Sequence, residues 1–197
     1  MEKKADILIY IDKVLEGNVN AYSVIVERHN NRVYNLAFRI CCNHEEAEEI
    51  SQDSFLKAYR ALGTFMRKSS FSTWLYRIVY NTAISHVRTK KREILSLEDF
   101  PASAADFIGT GTTEEEAENE YRRSLLDFAF QKISDEERSL ITLHYYEDMS
   151  TEEMSEVTGI SKSNIKVKLF RARQKMLQFI EKAEKKITMS YENAAGI

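Results

Sequence analysis

The stretch FMRKSSFSTWLYRIVYNTAISHVRTKKR, Phe65 to Arg92, decides how this chain folds and what it can bind. Phe71, Trp74, Leu75 and Ile78 fall at i, i+3, i+4 and i+7, the spacing of one apolar helix face. Arg77, Asn81, Ser85, Arg88 and Arg92 recur along another face as a polar, basic stripe. The stretch holds seven Lys/Arg and no acid, in a chain whose formal net charge is −3. Its pattern predicts a helix with one face for a core and another for an anion. Tyr76 and Tyr80 lie beside the stripe, and Arg67, Lys68, Ser69 and Ser70 precede it. Cations that can follow a phosphate backbone thus stand next to rings on which bases can stack, an arrangement suited to single-stranded or opened nucleic acid. A merely solvated basic helix is the competing reading. The absence of acids, and a second DNA-like motif downstream, weigh against it.

Working outward, the 197 residues allow one large domain or two small ones of about 100 residues each. One Pro and six Gly among many Glu, Lys, Leu, Ala and Arg point to an all-α chain, and 43% hydrophobic with 30% charged residues suits a soluble protein. No apolar run reaches about 18 residues, and no basic start precedes an apolar core. Neither a membrane span nor a secretory signal is therefore expected, and the cytoplasm is the expected compartment. Cys41 and Cys42 are adjacent and are the only cysteines, which excludes a disulfide framework. With His29 and His44 they raise a metal site, but four ligands at a recognisable spacing are absent, so thiols without a metal are expected. No cofactor is expected. Among His29, His44, His86 and His144 none has the spacing of a base–nucleophile pair or a metal trio, which argues against an enzyme.

On the N-terminal side, Ile7, Ile9, Tyr10, Ile11, Val14 and Leu15 predict a first helix over Ala5–Glu16. Asn20 is read as the N-cap of a second, whose apolar positions include Ala21, Val24, Ile25, Val33, Leu36, Ala37 and Ile40. Asn43 caps a third, with Glu45, Glu46, Glu48 and Glu49 in its first turns, where acids favour the helix dipole. Ile50, Phe55, Leu56, Ala58, Tyr59 and Leu62 give that helix a buried side. With the basic helix, these make a four-helix bundle.

On the C-terminal side, Glu93 to Glu120 carries nine acids, no base and the only proline, Pro101. Such a segment cannot bury enough apolar area to order itself, and a flexible acidic linker is expected, with Leu95, Leu97 and Phe100 as docking points. Helical patterning resumes at Tyr121, and Ser134 opens a capping box with Glu137. Ser150 then caps TEEMSEVTG, closed by Gly159, and Ser161 caps KSNIKVKLFRARQKMLQFI. Two such helices make a helix-turn-helix, with Met154, Val157, Ile160, Ile165 and Leu169 inside. The second is basic, and its leading part offers Ser161, Lys162, Ser163, Asn164, Lys166, Val167 and Lys168 to a major groove, while Arg171 and Arg173 hold phosphates. Beyond Glu181 a short helix and a polar tail carry no functional reading.

Two blocks, EEAEEISQDSFLKAYRALGTF with SSFSTWLYRIVYNTAISHVR, and ISDEERSLITLHYYEDMSTEEMSEVTGISKSNIKVKLFRARQKML, resemble regions two and four of bacterial RNA polymerase sigma factors of the extracytoplasmic-function (ECF) group. The resemblance implies two small all-α domains: residues 1–93 as sigma region 2, 94–120 as linker, 121–182 as sigma region 4, and 183–197 as a tail. It implies core RNA polymerase docking by Glu49, Gln52, Asp53 and Phe55. It implies that Arg67, Lys68, Ser69, Ser70, Thr73, Trp74, Arg77, Asn81 and Arg88 melt and read the minus-ten promoter element. The second block would read the minus-thirty-five element, and the linker would thread channels of the polymerase. Promoter DNA, core polymerase and an anti-sigma factor are the implied partners of a chain that is a monomer when free. Departures from the family pattern are Arg67 in place of Gly, Ser85 in place of Asp, Asp53 in place of Glu, Met154-Ser155 in place of Ile-Ala, and Ser163-Asn164-Ile165 in place of Gly-Thr-Val.

The charge distribution supports two DNA surfaces parted by a spacer. Residues 1–92 carry 15 bases against 10 acids, residues 93–120 none against 9, and residues 154–182 seven against 2. The alternative is a dimeric helix-turn-helix regulator whose first bundle senses a ligand, which would bind duplex operators without polymerase.

Overall fold

A computed structural model of the protein describes residues 4–96 and 114–195. Eight α-helices and one 3₁₀ turn make up these residues, with no strand among them: α1 (Lys4–Leu15), α2 (Ala21–Cys41), α3 (His44–Ala61), α4 (Phe71–Ser96), α5 (Glu114–Lys132), α6 (Asp135–Tyr145), α7 (Thr151–Thr158) and α8 (Lys162–Ala195), with the 3₁₀ turn at Leu62–Thr64. The all-α architecture expected from the sequence is the one found.

Local chemistry fixes several helix ends. Asn43 is extended and its side chain accepts from the Glu46 amide at 2.9 Å, starting α3. Ser134 and Ser150 each form a full capping box, with Glu137 and Glu153. Gly159 closes α7 at φ 74°, a left-handed backbone that a Cβ would strain. Asn20 differs from its expected role: it has helical dihedrals and makes no capping bond. Its neighbour Ser23 instead donates to the Asn20 carbonyl, and α2 follows the preceding turn almost without a break.

Two further expectations change. The acidic segment is helical at both ends, because α4 runs on to Ser96 and α5 starts at Glu114; the docking points Leu97 and Phe100 lie outside the described residues. The end of the chain, read as a short helix and a tail, is one continuous helix with the recognition segment. α8 packs along α5, and that support carries it past the helix-turn-helix.

Helices α1–α4 bundle around Ile11, Ile25, Val33, Leu36, Ile40, Ile50 and Leu75, all fully buried. Helices α5–α8 bury Leu140, Leu143, Met154 and Ile165. These two groups are one contiguous apolar cluster, since α6 lies on α2 and α7 lies on α4. The cause is a second apolar stripe on α4. Tyr76, Tyr80, Ala83 and Val87, at i, i+4, i+7 and i+11, are all buried, and they occupy a different face from Phe71, Leu75 and Ile78. Tyr76 is only 1% exposed and Tyr80 8%, so neither ring is offered to a base, contrary to the stacking role the sequence suggested.

Candidate nucleic-acid and polymerase interfaces

The loop before α4 starts from backbone geometry. Arg67 sits at φ 57°, in the left-handed region, where any residue but Gly carries strain. That conformation gives the physical reason a glycine suits this position, as in the family the sequence resembles. The Arg67 guanidinium is paired with Asp12 of α1 across the turn. Lys68 is exposed beside it, and Ser69 is half-buried. Ser70 and Thr73 serve the helix instead: the Ser70 hydroxyl accepts from the Thr73 amide at 3.0 Å and lies 2.7 Å from the Thr73 hydroxyl. Thr73 is 2% exposed and is part of an N-cap. Trp74 is partly exposed and leans on Phe65 and Phe71, with ring centroids 5.4 and 5.5 Å away.

From that aromatic corner the stripe runs outward. Arg77, Asn81, Ser85 and Arg88 are all exposed along one line of α4, as the spacing predicts. Lys90, near its end, pairs with Glu46 of α3, an acid that also approaches His86 at 3.5 Å.

The proposed docking face lies on α3. Glu49 and Gln52 are exposed, and Asp53 is half-buried and bridges Lys57 at 2.7 Å. Phe55 is 7% exposed and belongs to the core, so it backs this face and offers little of itself. Its carbonyl accepts from the Tyr22 hydroxyl at 2.6 Å. Exposed Leu56 and Tyr59 supply the apolar surface there instead. An open groove of about 630 Å³ runs between α2 and α3, with Tyr22, Tyr34, Gln52, Phe55 and Leu56 in its walls.

At the other end, the helix-turn-helix has the interior that the sequence predicts: Met154, Val157, Ile165 and Leu169 are buried, and Ile160 is partly so. The turn is tied by the Ser155 hydroxyl donating to the Ile160 carbonyl at 2.7 Å. Ser161, Lys162, Ser163, Asn164, Lys166, Val167, Arg171 and Arg173 are exposed, and Lys168 is half-buried. Several of these cations have internal acceptors. Lys162 meets Glu152 at 2.8 Å, Lys168 meets Glu136 at 3.0 Å, and Lys175 meets Glu137 at 2.6 Å. Burial acts to raise the Glu137 pKa, but its bonds to Lys175 and Ser134 outweigh this and hold the carboxyl below its ordinary value. Arg173 donates to the Tyr145 hydroxyl at 3.0 Å.

The histidines and cysteines are engaged separately. His44 bonds the Tyr34 hydroxyl at 2.6 Å and stacks on Phe38. His29 packs edge-on against Phe71, its Nδ1 buried without a partner. Burial, helped by Arg32 and Arg28, pushes the His29 pKa down to about 4. Burial raises both thiol pKa values, that of Cys41 to about 11.

Sequence reasoning missed two residues. Asp12 holds Arg67 from 55 positions away, beyond any local pattern. Arg138, 7% exposed, had no periodic signal that set it apart from a surface cation.

An exposed cationic stripe on a helical bundle, joined in one chain to a helix-turn-helix with a basic second helix, defines a two-part DNA-binding protein. Comparison with known proteins narrows this. Residues 25–93 match the sigma-70 region 2 family and residues 123–176 match sigma-70 region 4. The chain is 30% identical to the RNA polymerase sigma-H factor of Pseudomonas aeruginosa over 171 residues, covering 83% of this chain and 88% of that protein. It is also 30% identical to the ECF RNA polymerase sigma factor SigW of Bacillus subtilis over 176 residues, covering 83% and 91%. In fold it is similar to the sigma factor RpoE of Bartonella quintana, solved with the anti-sigma factor NepR (TM-score 0.66, 22% identity, 83% of this chain and 98% of that one). It is likewise similar to CnrH, solved with the cytosolic domain of CnrY (TM-score 0.61, 24% identity, 88% and 96%). The chain belongs to the ECF group of the sigma-70 family.

Proposed function

We propose that this chain binds core RNA polymerase and directs it to a small set of promoters, performing no covalent chemistry of its own. The observation that carries this reading is the exposed line Arg77–Asn81–Ser85–Arg88 in the same chain as a basic helix-turn-helix. Residues 1–93 form the polymerase-docking and strand-separating domain. Glu49, Gln52 and Asp53 on α3 meet the polymerase, with Leu56 and Tyr59 supplying the apolar part of that face and Phe55 supporting it from below. Arg67, Lys68, Ser69, Trp74, Arg77, Asn81 and Arg88 contact the opened minus-ten element, while Ser70 and Thr73 shape the loop that presents them. Residues 94–120 act as a spacer. Residues 121–182 carry the minus-thirty-five reader, with Ser161, Lys162, Ser163, Asn164, Lys166, Val167 and Lys168 toward base edges and Arg171 and Arg173 toward phosphates. Binding energy opens the promoter: unstacking costs a few kcal/mol per flipped base, and the pocket contacts offset it.

The cytoplasm, where polymerase and promoters are, is the compartment this reading requires. An anti-sigma protein is a proposed further partner, on the fold likeness to a chain solved with one. Function is tested by mixing the full chain with core polymerase on genomic fragments and mapping start sites. Arg77→Glu or Arg88→Glu should impair strand opening, read by permanganate reactivity, more than closed binding, whereas Lys168→Glu or Arg171→Glu should impair closed binding itself. Equal defects in both classes would overturn the division of roles. Tight duplex binding by a dimer without polymerase would favour the operator-binding alternative.

A further inference from the structure

The loop between the 3₁₀ turn and α4 is anchored at both ends and open in the middle. On one side the Phe65 amide donates to the Leu62 carbonyl at 3.1 Å, and the Phe65 ring packs on Phe71 and Trp74 with centroids 5.6 and 5.4 Å away. On the other, Ser70 is tied to Thr73. Met66, Arg67 and Lys68, in between, are exposed. Arg67 is nevertheless held from outside the loop: its Nη2 donates to Asp12 Oδ1, and both side chains remain nearly half exposed. Asp12 stands on a fixed frame. It follows Ile11, which is 1% exposed in the core, and its carbonyl accepts from the Glu16 amide at 2.9 Å at the end of α1.

We propose that Arg67 reads a guanine in the opened minus-ten strand, and that Asp12 is the positioning residue that aims it. A guanidinium carries five N–H donors in a planar fork. Asp12 takes one hydrogen of Nη2, which leaves the second hydrogen of Nη2 and those of Nη1 as an end-on pair of donors. Two acceptors side by side answer that pair, and guanine supplies them at O6 and N7. On the same edge adenine sets an amino donor beside N7, cytosine offers an amino donor, and thymine has one acceptor beside a methyl group. An untethered arginine loses rotamer freedom when it binds, whereas one already held by Asp12 loses less. Stability gives the pair no other purpose, because an exposed ion pair contributes little. The inference deepens the promoter reading above and rests on it.

The test uses the full chain bound to core polymerase and a pool of forked duplexes randomised across the opened segment, with bound molecules recovered and sequenced. The wild type should enrich guanine at one position roughly tenfold, the scale of one bidentate pair. Arg67→Lys, which keeps the charge without the fork, and Arg67→Gly, which suits the backbone, should lose that enrichment and keep the preferences elsewhere. Replacing that guanine by 7-deazaguanine, which lacks N7, should weaken binding by the wild type and leave Arg67→Lys unaffected. Asp12→Ala should cut the enrichment about fivefold, the scale of freeing one long side chain. Its total binding to the pool should hold or rise, because a carboxylate beside the phosphates is gone. A merely structural Asp12 would lower binding to every template alike. No guanine position, or enrichment that survives Arg67→Lys, would overturn the assignment of the base, and enrichment unchanged by Asp12→Ala would overturn the positioning role. A pool that binds no better with the chain than with core polymerase alone would sink the promoter reading and this inference with it.

Discussion

Arg67 joins two facts that pull against each other: a left-handed backbone and an exposed cation held by Asp12. A non-glycine residue there costs about 1–2 kcal/mol, and an exposed ion pair returns about 1 kcal/mol at most. Stability therefore does not explain the arginine, whereas the proposed DNA contact would. Arg67→Gly should leave thermal stability unchanged or slightly raised while weakening binding to a forked minus-ten template in the polymerase complex; a variant that melts much earlier would show the residue to be structural. His29 makes the opposite case, a polar group kept neutral by its setting. Unfolded, it takes a proton near 6.5; folded, only at about 4. The unfolded chain thus binds the extra proton in between, so stability is intact above about pH 6.5 and falls toward pH 4, by about 3 kcal/mol at the limit. His29→Gln should flatten that part of the stability profile in urea titrations at pH 7.5, 6 and 5, and parallel profiles would exclude His29 as the source.

At the scale of helices, most of what positions the site could be read from sequence because it is local. The capping boxes at Ser134 and Ser150, the Asn43 cap and the Gly159 stop are set by residues within a few positions of each other. The stripe on α4 was legible for the same reason, since Arg77, Asn81, Ser85 and Arg88 need only helical spacing to align. What failed was the choice of face for residues beside a stripe. Tyr76 and Tyr80 have an amphipathic side chain that suits a base stack or a core equally well, and only the arrival of α6 and α7, some 60 to 80 positions later, decides for the core. Phe55 shows the same ambiguity on α3. The reach of α8 to Ala195 was hidden in a similar way, because its support comes from α5 and not from its own composition.

For the whole molecule, composition and charge runs correctly announced two helical units and an acidic stretch, yet they carried no sign that the units share one core. Such a seam depends on partners far apart in sequence, Arg138 with Ile40 and Glu147 with Tyr76, and on one half-buried carboxyl whose pKa is raised chiefly by desolvation. The internal partners of the recognition helix have a consequence of another kind. Lys162, Lys168 and Lys175 already neutralise carboxylates, so a phosphate that takes one of them sets an acid free, and little is gained in released counterions. Titrating duplex affinity against salt should therefore give a slope near −3, from Lys166, Arg171 and Arg173, and not the value of about −5 that six unengaged cations would give at about −0.9 per phosphate. Read this way, the protein's discrimination between promoters should survive changes in cellular potassium that would strip a more freely charged helix from its site.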